Sequence, residues 1–267
     1  MTPSVVARRT GVTPHIAEGM HWYDSRGLPA YTVKAKDGTD RPATLRDARK
    51  LNLLPSVTSI IRCAAAPGLE HWKQNQVLMA ALTLPKQENE SEQDYMNRIM
   101  QDSKEQARKA AERGTEIHAA IQGYYEGKSV HKGLWMFVEN VVEAVKDWAG
   151  EQEWTPEQSF AHGLGFGGKV DLSSQGYVLD FKTKDWDYEG TLKVWDEHAM
   201  QLAAYRVGLS AENAKCAIVF VSTKVPGLVH LAPVKEEHLQ RGWQMFQGLL
   251  AYWKAKNDYQ PKLEWAQ

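Results

Sequence analysis

Asp180 and Lys182 lie in the run Tyr177-Val-Leu-Asp-Phe-Lys-Thr183, whose alternation is that of a strand. Residues two apart on a strand share a face, so these two side chains emerge together while Leu179 and Phe181 turn to the core. Asp171 closes the preceding extended segment, one Ser-Gln-Gly turn away. Antiparallel pairing brings its carboxylate beside that of Asp180. Two carboxylates held together repel unless a cation lies between them. Mg²⁺ takes a few carboxylates together with waters and phosphate oxygens. A lysine alongside orients an attacking water and steadies charge growing on a phosphate. With an ordinary pKa near ~10.4, it needs a large downward shift to act as a base. The chemistry this suits is metal-assisted phosphodiester hydrolysis. Taken alone, a D-x-K tripeptide reads first as an Asp–Lys surface pair on an edge strand, because such tripeptides are common.

The surrounding spacing changes that reading. Gly114-Thr-Glu-Ile-His118 falls in a helical pattern, and Gly168-Lys-Val-Asp171 precedes the Asp180–Lys182 strand. Gln201-Leu-Ala-Ala-Tyr205 follows, with Gln201 and Tyr205 on one helix face at i,i+4. The ordered set G-x-x-x-H, G-x-x-D, D-x-K, Q-x-x-x-Y resembles the PD-(D/E)XK nuclease superfamily, and within it the RecB-like exonuclease group, over about residues 110–225. Upstream, Leu54-Pro-Ser-Val-Thr-Ser-Ile-Ile61 and Leu69-Glu-His-Trp-Lys73 look like the segment ahead of the core in mitochondrial genome maintenance exonucleases and related phage exonucleases.

The resemblance implies an α/β fold, a restriction-endonuclease-like core with a central mixed sheet flanked by helices. It implies a DNA exonuclease using Mg²⁺ or Mn²⁺, working in recombination, repair or phage DNA processing. His118, Asp171 and Asp180 would bind metal, with the backbone carbonyl of Phe181 as a further ligand. Lys182 would orient the nucleophilic water, and Gln201 and Tyr205 would support the site or touch the DNA backbone. Glu157, on the first strand, is an outer carboxylate that is otherwise read as solvated. The strand carries no third acid, so His118 becomes the extra side-chain ligand. Some relatives hold an iron–sulfur cluster on four cysteines, which Cys63 and Cys216 cannot supply. The partner would be DNA, single-stranded or with a free end, with a single-strand annealing or other recombination protein beside it. A structure-specific endonuclease or a nuclease subunit of a recombination complex is the alternative enzyme. A silent DNA-binding module is the alternative from another class, opposed by the intact Asp171, Asp180 and Lys182.

The elements that must position these residues are legible in outline. Residues 1–102 read as an N-terminal extension and helical cap, and 103–267 as the nuclease core. A short hairpin is expected around Ser25-Arg26-Gly27, and Ser56 is a fitting N-cap after Pro55. A helix is expected after Pro67-Gly68, with Leu69, Trp72 and Gln76 on one face. Residues 85–101 read as a solvated loop or exposed helix. From Ser103 a helix is expected with Ala107, Ala111, Gly114, His118 and Ile121 on one face, then a second with Trp135, Val138, Val142, Val145 and Trp148. Segments 157–162, 167–172 and 177–183 form an antiparallel meander. A helix carrying Leu192, Trp195, Ala199, Leu202 and Tyr205 follows. Cys216–Ser222 is a buried strand, paired with Val229–Val234 past the Pro226-Gly227 turn. A final helix, 237–256, turns Trp243, Phe246, Leu250 and Trp253 inward.

DNA contacts are expected from Ser56, Thr58, Arg62, Trp72, Lys73 and Arg113, near further basic residues at Arg41, Arg46, Arg49, Lys50, Arg108 and Lys109. The formal net charge of −1 argues mildly against a nucleic-acid binder, but 32 basic residues suffice to line one face. Gly123-Tyr-Tyr-Glu-Gly-Lys-Ser129 is one residue short of a P-loop and ends a helix, so nucleotide binding is not expected. The N-terminal stretch with Arg8 and Arg9 lacks the apolar run of a signal peptide, and no segment reaches the length of a membrane helix. With two distant cysteines, the expected location is the cytoplasm, that of a bacterial host if the chain is phage-encoded.

Overall fold

The computed structural model describes residues 4–6, 21–64 and 67–262. The stretch with Arg8 and Arg9, the apolar pair Ala65 and Ala66, and the side chain of Leu69 lie outside what it describes. The elements run β1 (Ser4–Val6), β2 (Trp22–Tyr23), β3 (Thr32–Lys34), β4 (Asp40–Pro42), α1 (Leu45–Leu51), β5 (Leu54–Pro55), α2 (Val57–Ile61), α3 (Pro67–Thr83), α4 (Glu92–Tyr125), α5 (Trp135–Ala149), β6 (Thr155–His162), β7 (Phe166–Ser174), β8 (Tyr177–Lys184), α6 (Asp196–Gly208), β9 (Lys215–Ser222), β10 (Val229–Val234) and α7 (Glu236–Asn257).

The fold is mixed α/β. Its sheet has the order β1-β6-β7-β8-β9-β10. Strands β6, β7 and β8 form the antiparallel meander, β8 and β9 run parallel through the α6 crossover, and β10 returns antiparallel. Strand β9 is apolar from Cys216 to Val221 because both faces are covered. Its Cys216, Ile218 and Phe220 face α2, α6 and α7, while Val219 and Val221 face α4 and α5. The N-terminal residues Trp22, Ala48, Leu53, Val57 and Ile60 belong to the same cluster as α6 and α7. Cys63 and Cys216 are free thiols. Among the described residues, no helix is long and apolar enough to cross a membrane.

Several helices differ in detail from the periodicity. Helix α4 starts at Glu92, capped by the Ser91 hydroxyl accepting from the Asp94 amide, and runs unbroken across 102 and 103. Its polar opening is the exposed arm of a helix hairpin with α3, where packing demands no apolar stripe. Its buried positions are Ile99, Ser103, Gly114, Ile117 and Ile121, whereas Ala111 is exposed. On α5 the buried residues are Phe137, Val138, Val141, Val145 and Ala149, and Trp135 stands 43% exposed at the helix start. Trp195 is the N-cap of α6, not part of its stripe, and Leu192 lies in the preceding loop. Large side chains at helix ends satisfied the period without entering the core. The turn at residues 24–27 closes onto a single Tyr23–Pro29 bridge, and Ser56 caps α2 by accepting from the Ser59 amide.

Candidate functional site

The site forms where β7 and β8 part. Their ladder ends at the Leu172–Leu179 pair, so the next amide along β8, that of Phe181, has no strand partner. The Asp171 carboxylate takes it, Oδ2 accepting from the Phe181 amide at 2.8 Å. The carbonyl of Phe181 shares that strand edge. The pleat also slips here. Val170 and Leu172 are two residues apart, yet they belong to clusters on opposite sides of the sheet. Across the β6–β7 ladder, Glu157 adopts φ +54° between the Pro156–Leu172 and Gln158–Val170 pairs. A non-glycine residue in that region is uncommon, and such outliers concentrate where a side chain must be aimed. The slip points Glu157 and Asp171 toward α4.

Helix α4 meets them with His118, whose Nε2 lies 3.0 Å from Asp171 Oδ2. Gly114, one turn earlier, lets the helix come this close. A Cβ there would sit 2.5 Å from Thr183 Oγ1 on β8. His118, Glu157 and Asp171 each present a ligand atom, all within 4.8 Å of one another.

Helix α6 closes the other side. Asp180 is buried on the α6 face of β8, with Lys182 beside it. Lys182 Nζ lies 2.6 Å from Asp180 Oδ2. Gln201 ties the two together: its Nε2 donates to Asp180 Oδ1 at 2.7 Å and its Oε1 accepts from Lys182 Nζ at 3.1 Å. The same Nε2 donates to Tyr205 Oη at 2.9 Å. Gln201 and Tyr205 thus do together what their i,i+4 spacing allows.

The electrostatics follow from this crowding. Burial alone would lower the His118 pKa, but Asp171, then Glu157 and Asp180, raise it to about 9. Burial pushes Asp171 up, and the His118 and Lys182 charges more than offset it, holding that carboxyl below its usual range. Asp180 is raised to about 6, chiefly by burial, with Lys182 opposing and Asp171 adding. Lys182 is drawn down by burial, but Asp180 and Asp171 overcome this and hold it above the ordinary lysine value. It therefore carries its proton at neutral pH.

The residues fit a divalent cation on two counts. The donor set is one imidazole and two carboxylates, groups that divalent cations take. Their three ligand atoms lie within 4.8 Å of one another, and the buried Asp180 carboxylate, whose Oδ2 pairs with Lys182 at 2.6 Å, stands beside them. Glu157, read from sequence as an outer carboxylate, belongs to the three-residue group itself, whereas Asp180 stands beside that group.

The expected DNA contacts are scattered. Ser56 is buried and spends its hydroxyl on the α2 cap, while Thr58 Oγ1 lies 3.1 Å from Ser56 Oγ. Arg62 is exposed at the end of α2. Trp72 is 38% exposed on α3, next to Lys73, which pairs with Glu70 at 3.0 Å. Arg113 pairs with Glu116 at 2.5 Å and lies over the Phe137 ring, 5.1 Å from its centroid. Sequence reasoning passed over Lys169, which pairs with Glu157. The signal was present as a basic residue inside the Gly168–Asp171 segment.

No family model matches the chain, and no curated protein matches it well enough to count as a relative. Among solved structures, the crystal structure of SSO0001 aligns at 17% sequence identity over 68% of this chain and 86% of that chain, with a TM-score of 0.27. Likeness at that level carries no argument about function.

Proposed function

We propose that the chain is a divalent-metal-dependent deoxyribonuclease of the PD-(D/E)XK kind, RecB-like, acting as an exonuclease on DNA with a free end. The observation that carries this reading is the convergence of Asp171, Asp180 and Lys182, from two parting strands, with His118 from α4 and Gln201 from α6. The sheet order supports the fold assignment: an antiparallel meander bearing the acids, then a helix crossover to a parallel strand. A silent binding module has no use for buried carboxylates facing a phosphate, whose burial is costly.

His118, Glu157 and Asp171, with Asp180 beside them, would hold the cation. When bound, Mg²⁺ or Mn²⁺ supplies Lewis-acid polarisation of the phosphate and lowers the pKa of water. The chain's own contribution is positioning and charge. Lys182 keeps its proton on Nζ and directs that N–H toward the attacking water and the phosphate oxygen. Gln201 holds Asp180 and Lys182 at a fixed separation, and Tyr205 fixes Gln201. The Phe181 amide pins one Asp171 oxygen, leaving the carboxylate a single orientation.

Digestion of 5′- and 3′-labelled single and double strands with Mg²⁺, with EDTA as control, tests the reading. Covalently closed circular single strands test the exonuclease assignment and are expected to survive. Asp180→Ala and Lys182→Ala should abolish cleavage with the fold retained by circular dichroism. Cleavage by either variant at near wild-type rate rejects the site.

A further inference from the structure

Lys169 has no place in the scheme above, yet its ammonium contacts the three-residue group through Glu157. It stands two residues before Asp171 on β7, and its ammonium pairs with Glu157 Oε2. Its side chain is 24% exposed against 11% for Glu157, so it is the partner more open to solvent. Glu157 therefore has two claimants for one carboxylate. The first is Lys169, whose ammonium pairs with it. The second is a cation held between Glu157, His118 and Asp171. Glu157 has two oxygens, but an ammonium and a divalent ion held on one carboxylate repel each other, so a cation entering between Glu157, His118 and Asp171 weakens the hold of Lys169.

We propose that Lys169 is a counter-ion latch: it holds Glu157 while the metal site is free, yields that carboxylate to the entering cation, and turns its released ammonium to a substrate phosphate. The metal half of this stands on the geometry of the three-residue group; the phosphate half rests on the nuclease reading. Two lysines then flank the carboxylates, Lys182 from the α6 side and Lys169 from the side of β6. The exchange moves no proton and breaks no covalent bond. One ion pair is replaced by a metal–carboxylate contact, and the freed charge passes to an anion. Lys169 is thus a positioning residue for the metal and a binding residue for DNA.

Calorimetric titration with Mn²⁺ alone, without DNA, tests the first half. Lys169→Met is expected to tighten Mn²⁺ binding about tenfold, the scale of removing one cation beside the ion in a half-buried site. Lys169→Arg keeps the competing charge and should stay near wild type. In a Glu157→Gln background, Lys169→Met should lose its effect, since the two residues act through one contact. Binding of a labelled single-stranded oligonucleotide with Ca²⁺ in place of Mg²⁺ tests the second half. Here Lys169→Met should weaken binding and reduce the salt slope by about one. Unchanged or weaker Mn²⁺ binding in Lys169→Met overturns the latch, and so does an unchanged oligonucleotide affinity. A wild-type chain that binds Mn²⁺ yet cleaves no DNA rejects the nuclease reading alone, and the Mn²⁺ series still decides whether Lys169 competes for Glu157.

Discussion

Gln201 donates to Asp180 across the gap between α6 and β8, Nε2 to Oδ1 at 2.7 Å, and both side chains are buried. A helix residue thereby sets the orientation of a strand carboxylate that the backbone alone leaves free. On the proposed nuclease reading, Gln201→Ala should reduce kcat by about 10- to 100-fold, the usual effect of removing a group that orients a residue at a metal site. Thermal stability should move much less than activity. A Gln201→Ala enzyme with wild-type kcat would show that Asp180 needs no such support.

His118 tests the metal assignment most directly. His118→Ala removes one of three ligand atoms and leaves Asp171 without its ion-pair partner. Mn²⁺ affinity should fall at least about tenfold, with activity partly recovered at high Mn²⁺. Direct titration of metal binding checks this.

Metal binding should also strengthen with rising pH. Asp171, Glu157 and Asp180 push the His118 pKa up to about 9, so near neutrality the imidazole carries a proton that a metal must displace. Asp180, at about 6, adds a second proton to displace below that pH. Affinity should therefore climb between pH 6 and 9, and calorimetry in buffers of different ionisation heat should record proton release. The metal-free fold behaves oppositely. The stabilisation from His118 is full below the ordinary histidine pKa and is lost as pH rises toward about 9.

Gly114 positions His118 through its contact with Thr183. Gly114→Ala places a methyl 2.5 Å from Thr183 Oγ1 and pushes α4 off β8. Overpacking of this kind costs about 1–3 kcal/mol. Activity should fall further than stability does, because His118 moves with the helix. Thr183→Ala in the same chain should restore much of the loss, which a melting curve and a cleavage assay together would show.

Phe160 is the packing counterpart. Its ring is fully buried and fills the space left by Gly168 and Gly208, against Tyr205. Phe160→Ala should destabilise the fold by about 3–5 kcal/mol, measurable by urea unfolding.

The meander and the buried strand β9 were legible because their period is a local property: alternation in 177–183 and the unbroken apolar run 216–222 need no knowledge of the rest. The long reach of α4 back to Glu92 was not, because an exposed helix arm carries no apolar stripe to betray it. The opposite cause misplaced Trp135 and Trp195, whose size fitted the period and suggested the core while their places at helix starts left them half-exposed.

The sequence by itself determined which groups are available, Asp171, Asp180, Lys182, His118, Gln201 and Tyr205, and that strand and helix spacing turns them to common faces. Tertiary structure alone decided how they are shared. It placed Asp171 with His118 and Glu157 instead of in a simple pair with Asp180, because β7 and β8 part beyond Leu172 and the pleat slips at Glu157. It joined Asp180 to Lys182 through Gln201. A slip in pleat and the end of a ladder depend on what both neighbouring strands are bonded to, and no local pattern of residues records that.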